Sequence, residues 1–217
     1  PDREAQADRV ANYLNWLYTT KMPGGYQHHD KMLFRLPLSG SAFKKIQWDA
    51  SLGTLVSRFV PADELVVPYG CSDLISVPRI THAISYSGYD LRRLIEGGAY
   101  RQVDLRRLAV DDQPSDLQTE LDAVTGTKPS STRIDDSDRY TCLEQVINLD
   151  IEGEPGNSPY LVTVVRDSQE TLAIYRYWRE GNPTRSRRRQ FVHYPFFPGL
   201  GGFYGLGLLH IIGRLSE

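Results

Sequence analysis

The sequence predicts an α+β fold in which helices and short antiparallel strands are mixed. Apolar residues follow a helical spacing up to about residue 40 and then change to alternation, the period of a strand. Further helical and strand-like segments follow without the regular strand–helix–strand repeat of a doubly wound sheet. The 217 residues, 40% of them hydrophobic and 24% charged, are typical of one large globular domain or two small ones.

Two helical patterns open the chain. Residues 3–21 have helical spacing, and Asp2 is predicted as the N-cap. The apolar face of this helix consists of Val10, Tyr13, Leu14 and Leu17. A second helix is predicted over residues 27–38, after the break at residues 22–25. Its residues expected to face inward are Met32, Leu33 and Leu36.

Alternating segments then predict strands and one further helix. Residues 41–49 and 55–63 flank a turn at 50–53 and predict a hairpin, and shorter strands are expected at 64–70 and 79–87. Ser87 is the predicted N-cap of the next helix, which ends at the glycine pair 97–98. Its inward-facing residues are Leu91, Leu94 and Ile95.

The rest of the chain divides at a polar linker. A short helix is predicted over 113–125, and residues 126–138 are rich in Ser, Thr, Asp and Pro, as in a surface linker. Residues 139–217 form the β-rich part that ends in a helix. Its predicted elements are strands at 140–152, 159–167, 171–180 and 191–194 and a helix at 204–217.

A glycine-rich segment near the end raises the question of phosphate binding. Its glycines do not match the dinucleotide pattern GxGxxG, and no Lys-Ser/Thr pair completes a P-loop. We therefore expect a close-packed structural turn, approached through Pro195 and Pro198. The glycines are Gly199, Gly201, Gly202, Gly205 and Gly207. The residues expected to begin a buried helix after the turn are Leu206, Leu208, Leu209, Ile211 and Ile212.

Charge and cysteine content limit the function classes. A net charge of −2 excludes a polycation with a general attraction to DNA. The one basic cluster comprises Arg185, Arg187, Arg188 and Arg189. This cluster is either a contact with a partner or a solvated loop. Two separated cysteines predict a reducing compartment, and no apolar run reaches the ~20 residues of a membrane span.

No catalytic, cofactor or metal site is predicted from the motifs. His28 and His29 are adjacent, so their side chains diverge by about 100° on a helix, and no HExxH occurs. Cys71 lacks an orienting acid at a recognisable position. The acidic residues of the linker, which lack the calcium-loop pattern, are Asp135, Asp136 and Asp138.

Three long blocks carry a family resemblance. Residues 33–49, residues 56–74 together with 79–82, and residues 191–213 resemble, in this order, the portal proteins of short-tailed bacteriophages. The linker and the loop at 181–190 resemble them least, as expected of surface loops. The chain also begins and ends inside helical patterns, which predicts a piece of a longer protein, similar to the N-terminal wing region without the stem, clip and crown.

The resemblance implies a structural role in a virion. Portals are rings, typically dodecameric, at one capsid vertex, through which the terminase motor packages double-stranded DNA and through which that DNA is ejected. The implied partners are further copies of the chain, capsid, scaffolding, terminase and tail adaptor proteins, with assembly in the host cytoplasm and no membrane. The family has no catalytic residues to carry over.

Two alternatives stay open beside the portal interpretation. One is a prophage-encoded hydrolase or metal-dependent nuclease, and the other is a bacterial surface-binding module. An enzyme should bring several of its cysteine, histidine and acidic side chains together in one pocket, whereas a portal wing should scatter them. The residues on which this criterion depends are Cys71, His28, His29, His82 and His193.

Overall fold

The computed structural model describes residues 2–49, 52–105, 108, 139–154, 156–199 and 201–213. The chain divides into two compact units, one formed by residues 1–77 and 188–217 and the other by residues 78–187. The described elements confirm the α+β class, with helices and antiparallel sheets. The predicted helix at 113–125 and the linker at 126–138 lie outside the described residues.

The described elements follow one another in this order. They are α1 (Asp2–Trp16), a π-helical turn (Leu17–Lys21), α2 (Gly25–Ser39), β1 (Ser41–Asp49), β2 (Thr54–Pro61), β3 (Leu65–Val66), β4 (Arg79–Ser87), α3 (Gly88–Glu96), β5 (Arg139–Leu149), β6 (Ser158–Val165), β7 (Thr171–Arg176), β8 (Phe191–Pro195) and α4 (Leu208–Ile212). None of the helices in the described residues has the length and hydropathy needed to cross a bilayer.

Helix α1 corrects the prediction for the start of the chain. Asp2 already lies within the helix and is not its N-cap, because an N-cap residue stands outside the helical backbone. The apolar face predicted for this helix is also not covered: Val10, Tyr13 and Leu14 are all exposed. Helical spacing shows that these side chains share a face, but it does not show what packs on that face.

Helix α2 lies on the first sheet through a narrow strip of its surface. Met32 is buried as predicted, and Leu36 is half-buried. The prediction for Leu33 is wrong, since its side chain is exposed. Successive helical residues are rotated by about 100°, so a helix that buries Met32 against a flat sheet turns Leu33 toward solvent.

The first unit contains a three-stranded antiparallel sheet with the order β2-β1-β8. The hairpin of β1 and β2 is confirmed, with Phe43 opposite Val60 and Trp48 opposite Leu55. Strand β8 pairs with the other edge of β1 although about 150 residues separate them, for example Phe43 opposite His193. The strand predicted at 64–70 is reduced to the two residues of β3.

The second unit has strands β4, β5, β6 and β7 in sequence order, all antiparallel, with α3 on one face. Ser87 is confirmed as the N-cap of α3, since its hydroxyl accepts the N–H of Asp90 at 3.1 Å. Leu94 is half-buried. The core combines Leu91, Ile95, Leu108, Tyr140, Cys142, Val165 and Leu172.

Helix α4 differs from its prediction in burial. In the described residues it spans five residues, and the apolar side chains around it are exposed instead of buried. The buried positions of this segment are Phe203, Gly205 and Gly207, which precede the helix. The turn therefore buries Phe203 and its closely packed glycines, whereas the aliphatic side chains that follow are exposed. The exposed residues are Leu206, Leu208, Leu209, Ile211 and Ile212.

The substitution Leu91→Ala tests the core of the second unit. Leu91 is fully buried, so its truncation should lower the free energy of unfolding by about 2–5 kcal/mol. Tyr89→Ala on the exposed side of the same helix is the matched control and should change it by less than about 0.5 kcal/mol. Urea unfolding followed by circular dichroism measures both, and equal effects would contradict the assignment of this core.

Candidate functional site

The glycine segment lies between β8 and α4, and its backbone is in direct contact with the backbone at the end of α2. A Cβ atom on Gly205 would lie 2.4 Å from the carbonyl oxygen of Gly40, and one on Gly207 would lie 2.4 Å from that of Leu38. Gly40 itself has a φ of 78°, which favours glycine, and ends helix α2. These positions have no space for any side chain, so the segment is locked onto the junction of α2 and β1.

The other glycines of the segment have different environments. Gly201 has a φ of 84°, and a Cβ atom on Gly199 would lie 2.6 Å from the carbonyl oxygen of Tyr204. Gly202 has neither a positive φ nor a crowded Cβ position, since the nearest atom to that position is 3.9 Å away. Four of the five predicted glycines are therefore required by the local geometry, each for an identifiable reason.

Ser41 connects this turn to a buried aromatic stack. Its hydroxyl accepts the N–H of Gly205 at 2.7 Å and lies 3.0 Å from Nε2 of His193. The imidazole packs against the rings of Phe43 and Phe203, with centroids 4.7 and 4.8 Å away, and the centroids of those two rings are 5.8 Å apart. Burial lowers the pKa of His193, so its imidazole is held in the neutral form beside the hydroxyl of Ser41.

These bonds also decide the question of phosphate binding. The N–H of Gly205 is taken by Ser41, and the N–H of Gly207 donates to Nδ1 of His210 at 3.0 Å. A phosphate loop must direct such N–H groups at its ligand. In this segment both N–H groups donate to side chains of the protein itself, so its geometry is that of a structural turn.

The histidines and cysteines contact different partners. His82 faces Glu144 across β4 and β5 at 3.6 Å, whereas His28 and His29 face β2 and β1. Cys71 is a free thiol, and in the part of the chain that is described no group of three His, Cys, Asp or Glu residues could hold a metal ion. Asp135, Asp136 and Asp138 lie outside the described residues.

Burial distinguishes the two thiols. Cys142 is fully buried, and burial raises the pKa of its thiol to about 12, so it stays protonated and unreactive at neutral pH. Cys71 is half-buried, and its backbone N–H donates to the carbonyl of Pro68 in a turn. Cys142 is therefore not suited to act as a nucleophile.

The arginine cluster lies on an ordered loop. Asn182 organises the loop, because its side-chain oxygen accepts two bonds from Thr184. Arg185 has a φ of 45° and donates to the hydroxyl of Ser158 at 3.0 Å, so it anchors the loop. Arg187 is half-buried, whereas Arg188 and Arg189 are exposed. The predicted cluster thus separates into an anchoring residue and two outward-facing guanidinium groups.

Two features of the first unit were not recognised from the sequence. A groove of about 770 Å³ runs between α2 and the end of β2. Lys44 is 5% exposed, with its Nζ 2.7 Å from Nδ1 of His29 and 5.4 Å above the ring of Tyr18. Burial lowers the pKa of Lys44. The groove is lined by His28, Asp30, Lys31, Phe34, Arg35, Phe59, Pro61 and Glu64.

Comparison with known proteins adds no relative. No family model matches the chain, and no curated protein matches it significantly. A function is therefore proposed from the sequence blocks at 33–49, 56–74 and 191–213 and from the geometry of the described residues.

The glycine junction is tested by a pair of substitutions in the same turn. Gly205→Ala places a methyl group 2.4 Å from a backbone oxygen and should lower the free energy of unfolding by about 1–3 kcal/mol. Gly202→Ala adds the same atom in open space and should leave it nearly unchanged. Urea unfolding of both variants gives the comparison, and similar stabilities would contradict the backbone contact.

Proposed function

We propose that the chain is the wing portion of a bacteriophage portal subunit, a structural component of the ring at one capsid vertex. DNA is packaged through that ring by a terminase motor and leaves through it at ejection. The proposal starts from the resemblance of three sequence blocks to portals of short-tailed phages. The arrangement of these blocks and the surfaces around them support it.

The blocks come together in space. Block 33–49 supplies the end of α2 and all of β1, and block 56–74 supplies most of β2 and all of β3. Block 191–213 supplies β8, the glycine turn and α4, and pairs with β1 from the far end of the chain. Only the short segment 79–82 belongs to the second unit. The resemblance therefore concentrates in one folded unit.

Uncovered apolar side chains on three helices of the first unit are the observation that carries the proposal. Tyr13 on α1 is 58% exposed, Phe34 on α2 is 76% exposed, and Leu209 on α4 is 64% exposed. Single exposed apolar residues are ordinary, whereas an exposed apolar patch is typical of a surface that packs on other protein, and we propose that these side chains contribute to such a surface. A ring provides such packing for each subunit.

The exposed arginines fit a polar contact at the edge of such an interface. In a ring, each subunit uses one surface to contact the opposite surface of the next, so the two surfaces must be complementary. Arg188 and Arg189 supply fixed positive charge, and the chain's 27 acidic residues supply the opposite charge. Copies of the chain are thus the first partners proposed.

The other proposed partners follow from the same role. They are capsid, scaffolding, terminase and tail adaptor proteins, together with the double-stranded DNA in the channel. A chain with a net charge of −2 suits a channel lining, because tight phosphate binding would retain the DNA. The proposed locations are the virion and, during assembly, the host cytoplasm.

Electron microscopy of the full-length protein tests the proposal. We expect closed rings, and Phe34→Asp should reduce the fraction of assembled subunits several-fold because it buries a charge at the interface. Tyr89→Asp, an equally drastic change at an exposed position of α3 in the second unit, is the matched control. The absence of rings from the unmodified full-length protein would refute the portal proposal.

The arginine loop is tested separately by charge reversal. Arg188→Glu together with Arg189→Glu should weaken ring assembly, and the effect should decrease at high salt because exposed charges are screened. Arg188→Lys together with Arg189→Lys keeps the charge and should retain most of the assembly. Analytical ultracentrifugation of the full-length variants measures the ring fraction. Unchanged assembly after charge reversal would exclude this loop from the interface.

A further inference from the structure

Two adjacent histidines attach α2 to two different strands. The backbone N–H of Phe59 on β2 donates to Nδ1 of His28 at 3.4 Å. One residue further along α2, Nδ1 of His29 lies 2.7 Å from Nζ of Lys44 on β1. Both imidazoles are half-buried. The divergence of about 100° between neighbouring helical side chains makes this double attachment possible.

The chemistry of the two partners determines the protonation state of the rings. A backbone N–H can only donate, and a lysine ammonium has three donors and no acceptor. As long as Lys44 carries its charge, both Nδ1 atoms act as acceptors, and the imidazoles are neutral with the proton on Nε2. A second proton on either ring would sit at Nδ1 and point at another donor.

The electrostatic surroundings oppose that second proton. Strand β1 contributes Lys44 and β2 contributes Arg58, while Lys31 lies on α2 itself. Burial first, and then these cations, hold the pKa of His28 below its usual range. Burial and Lys44 do the same for the pKa of His29, against a smaller opposing effect of Asp30.

The remaining elements around α2 contribute few groups that would favour a second proton on these imidazoles. The π-helical turn contributes the phenol of Tyr18, whose ring stands edge-on to His29. Helix α4 also packs against α2, and its His210 is bonded to Gly207. Asp30 and Glu64 are the acidic residues that line the groove beside His28.

Strand β2 is an edge strand of its sheet, so the attachment of His28 to β2 covers part of a strand edge. Among the described strands, the order β2-β1-β8 leaves one side of β2 without a neighbour in that sheet. Phe59 directs its N–H to this side, where the His28 ring accepts it. An open strand edge can accept another strand, so a side chain that occupies its N–H blocks such pairing.

We propose that α2 is an acid-released latch: protonation of His28 and His29 frees it from the β1–β2 hairpin and opens the edge of β2. The direction of the pH effect follows from the linkage between proton binding and folding. A histidine that binds its proton less readily in the folded state contributes stability above its ordinary pKa, and this contribution is lost as the pH falls below about 6.5. The latch does not depend on the proposed portal function, and its test is independent of ring assembly.

Hydrogen–deuterium exchange of the 217-residue chain at pH 7.5 and 5.0 tests the latch. After correction for the intrinsic exchange rate, protection of the Phe59 amide and of α2 should fall by about tenfold or more at pH 5.0. Amides of α3 in the second unit are the internal control and should keep their protection. Unchanged protection of α2 at pH 5.0 would overturn the proposal.

A double variant separates the two histidines from general acid effects. In His28→Asn with His29→Asn, the amide oxygen takes the position of Nδ1 and accepts the same bonds without titrating. Protection of α2 should then be the same at both pH values. His210→Asn is the matched control in the same unit and should retain the loss at pH 5.0. A double variant that still loses protection in acid would overturn the latch.

Titration of the unmodified chain keeps the proposal testable even where the double variant does not fold. The imidazole signals of His28 and His29 in nuclear magnetic resonance spectra should titrate below those of the same chain unfolded in urea. Loss of α2 protection should follow these two titrations. Signals that titrate at or above the unfolded reference would refute the proposal.

Discussion

The contact of Gly40 with Gly205 and Gly207 is the constraint on which the first unit depends. It brings the end of the described chain against the junction of α2 and β1, at distances that exclude a Cβ atom. The hydroxyl of Ser41 then holds Gly205 and His193 together, and the register of β8 on β1 continues from this point. Two backbones in direct contact leave no room for a shift in position. This contact can therefore fix the pairing of β8 with β1, although the two strands are far apart in the sequence.

Burial determines the electrostatics of the histidines in the first unit. His28 faces a backbone N–H, His29 faces Lys44 and His193 faces the hydroxyl of Ser41, and burial lowers the pKa of all three. Lys44 is almost completely buried, and a neutral imidazole takes one of its donors. Neutral imidazoles therefore suit this unit, and several apolar side chains of its described helices remain exposed.

Predictions from the sequence succeeded where a local rule was sufficient. The change from helical to alternating spacing located the β1–β2 hairpin, and Ser87 capped α3 because N-cap bonding involves only neighbouring residues. They failed at Leu33 and at the apolar residues of α4, which are exposed. A helical pattern identifies which side chains share a face, but burial depends on what lies opposite, and that is not local information.

The sequence by itself determined the α+β class, the strands of both sheets and the failure of the glycine segment as a nucleotide loop, because each depends on spacing within a short stretch. Only the tertiary structure decided that β8 pairs with β1 and that His28 and His29 hold α2 on the sheet. It also separated Arg185, bonded to Ser158, from the exposed Arg188 and Arg189. These features join residues distant in the chain, and the free energy of such contacts exists only when the backbone has brought both partners within bonding distance.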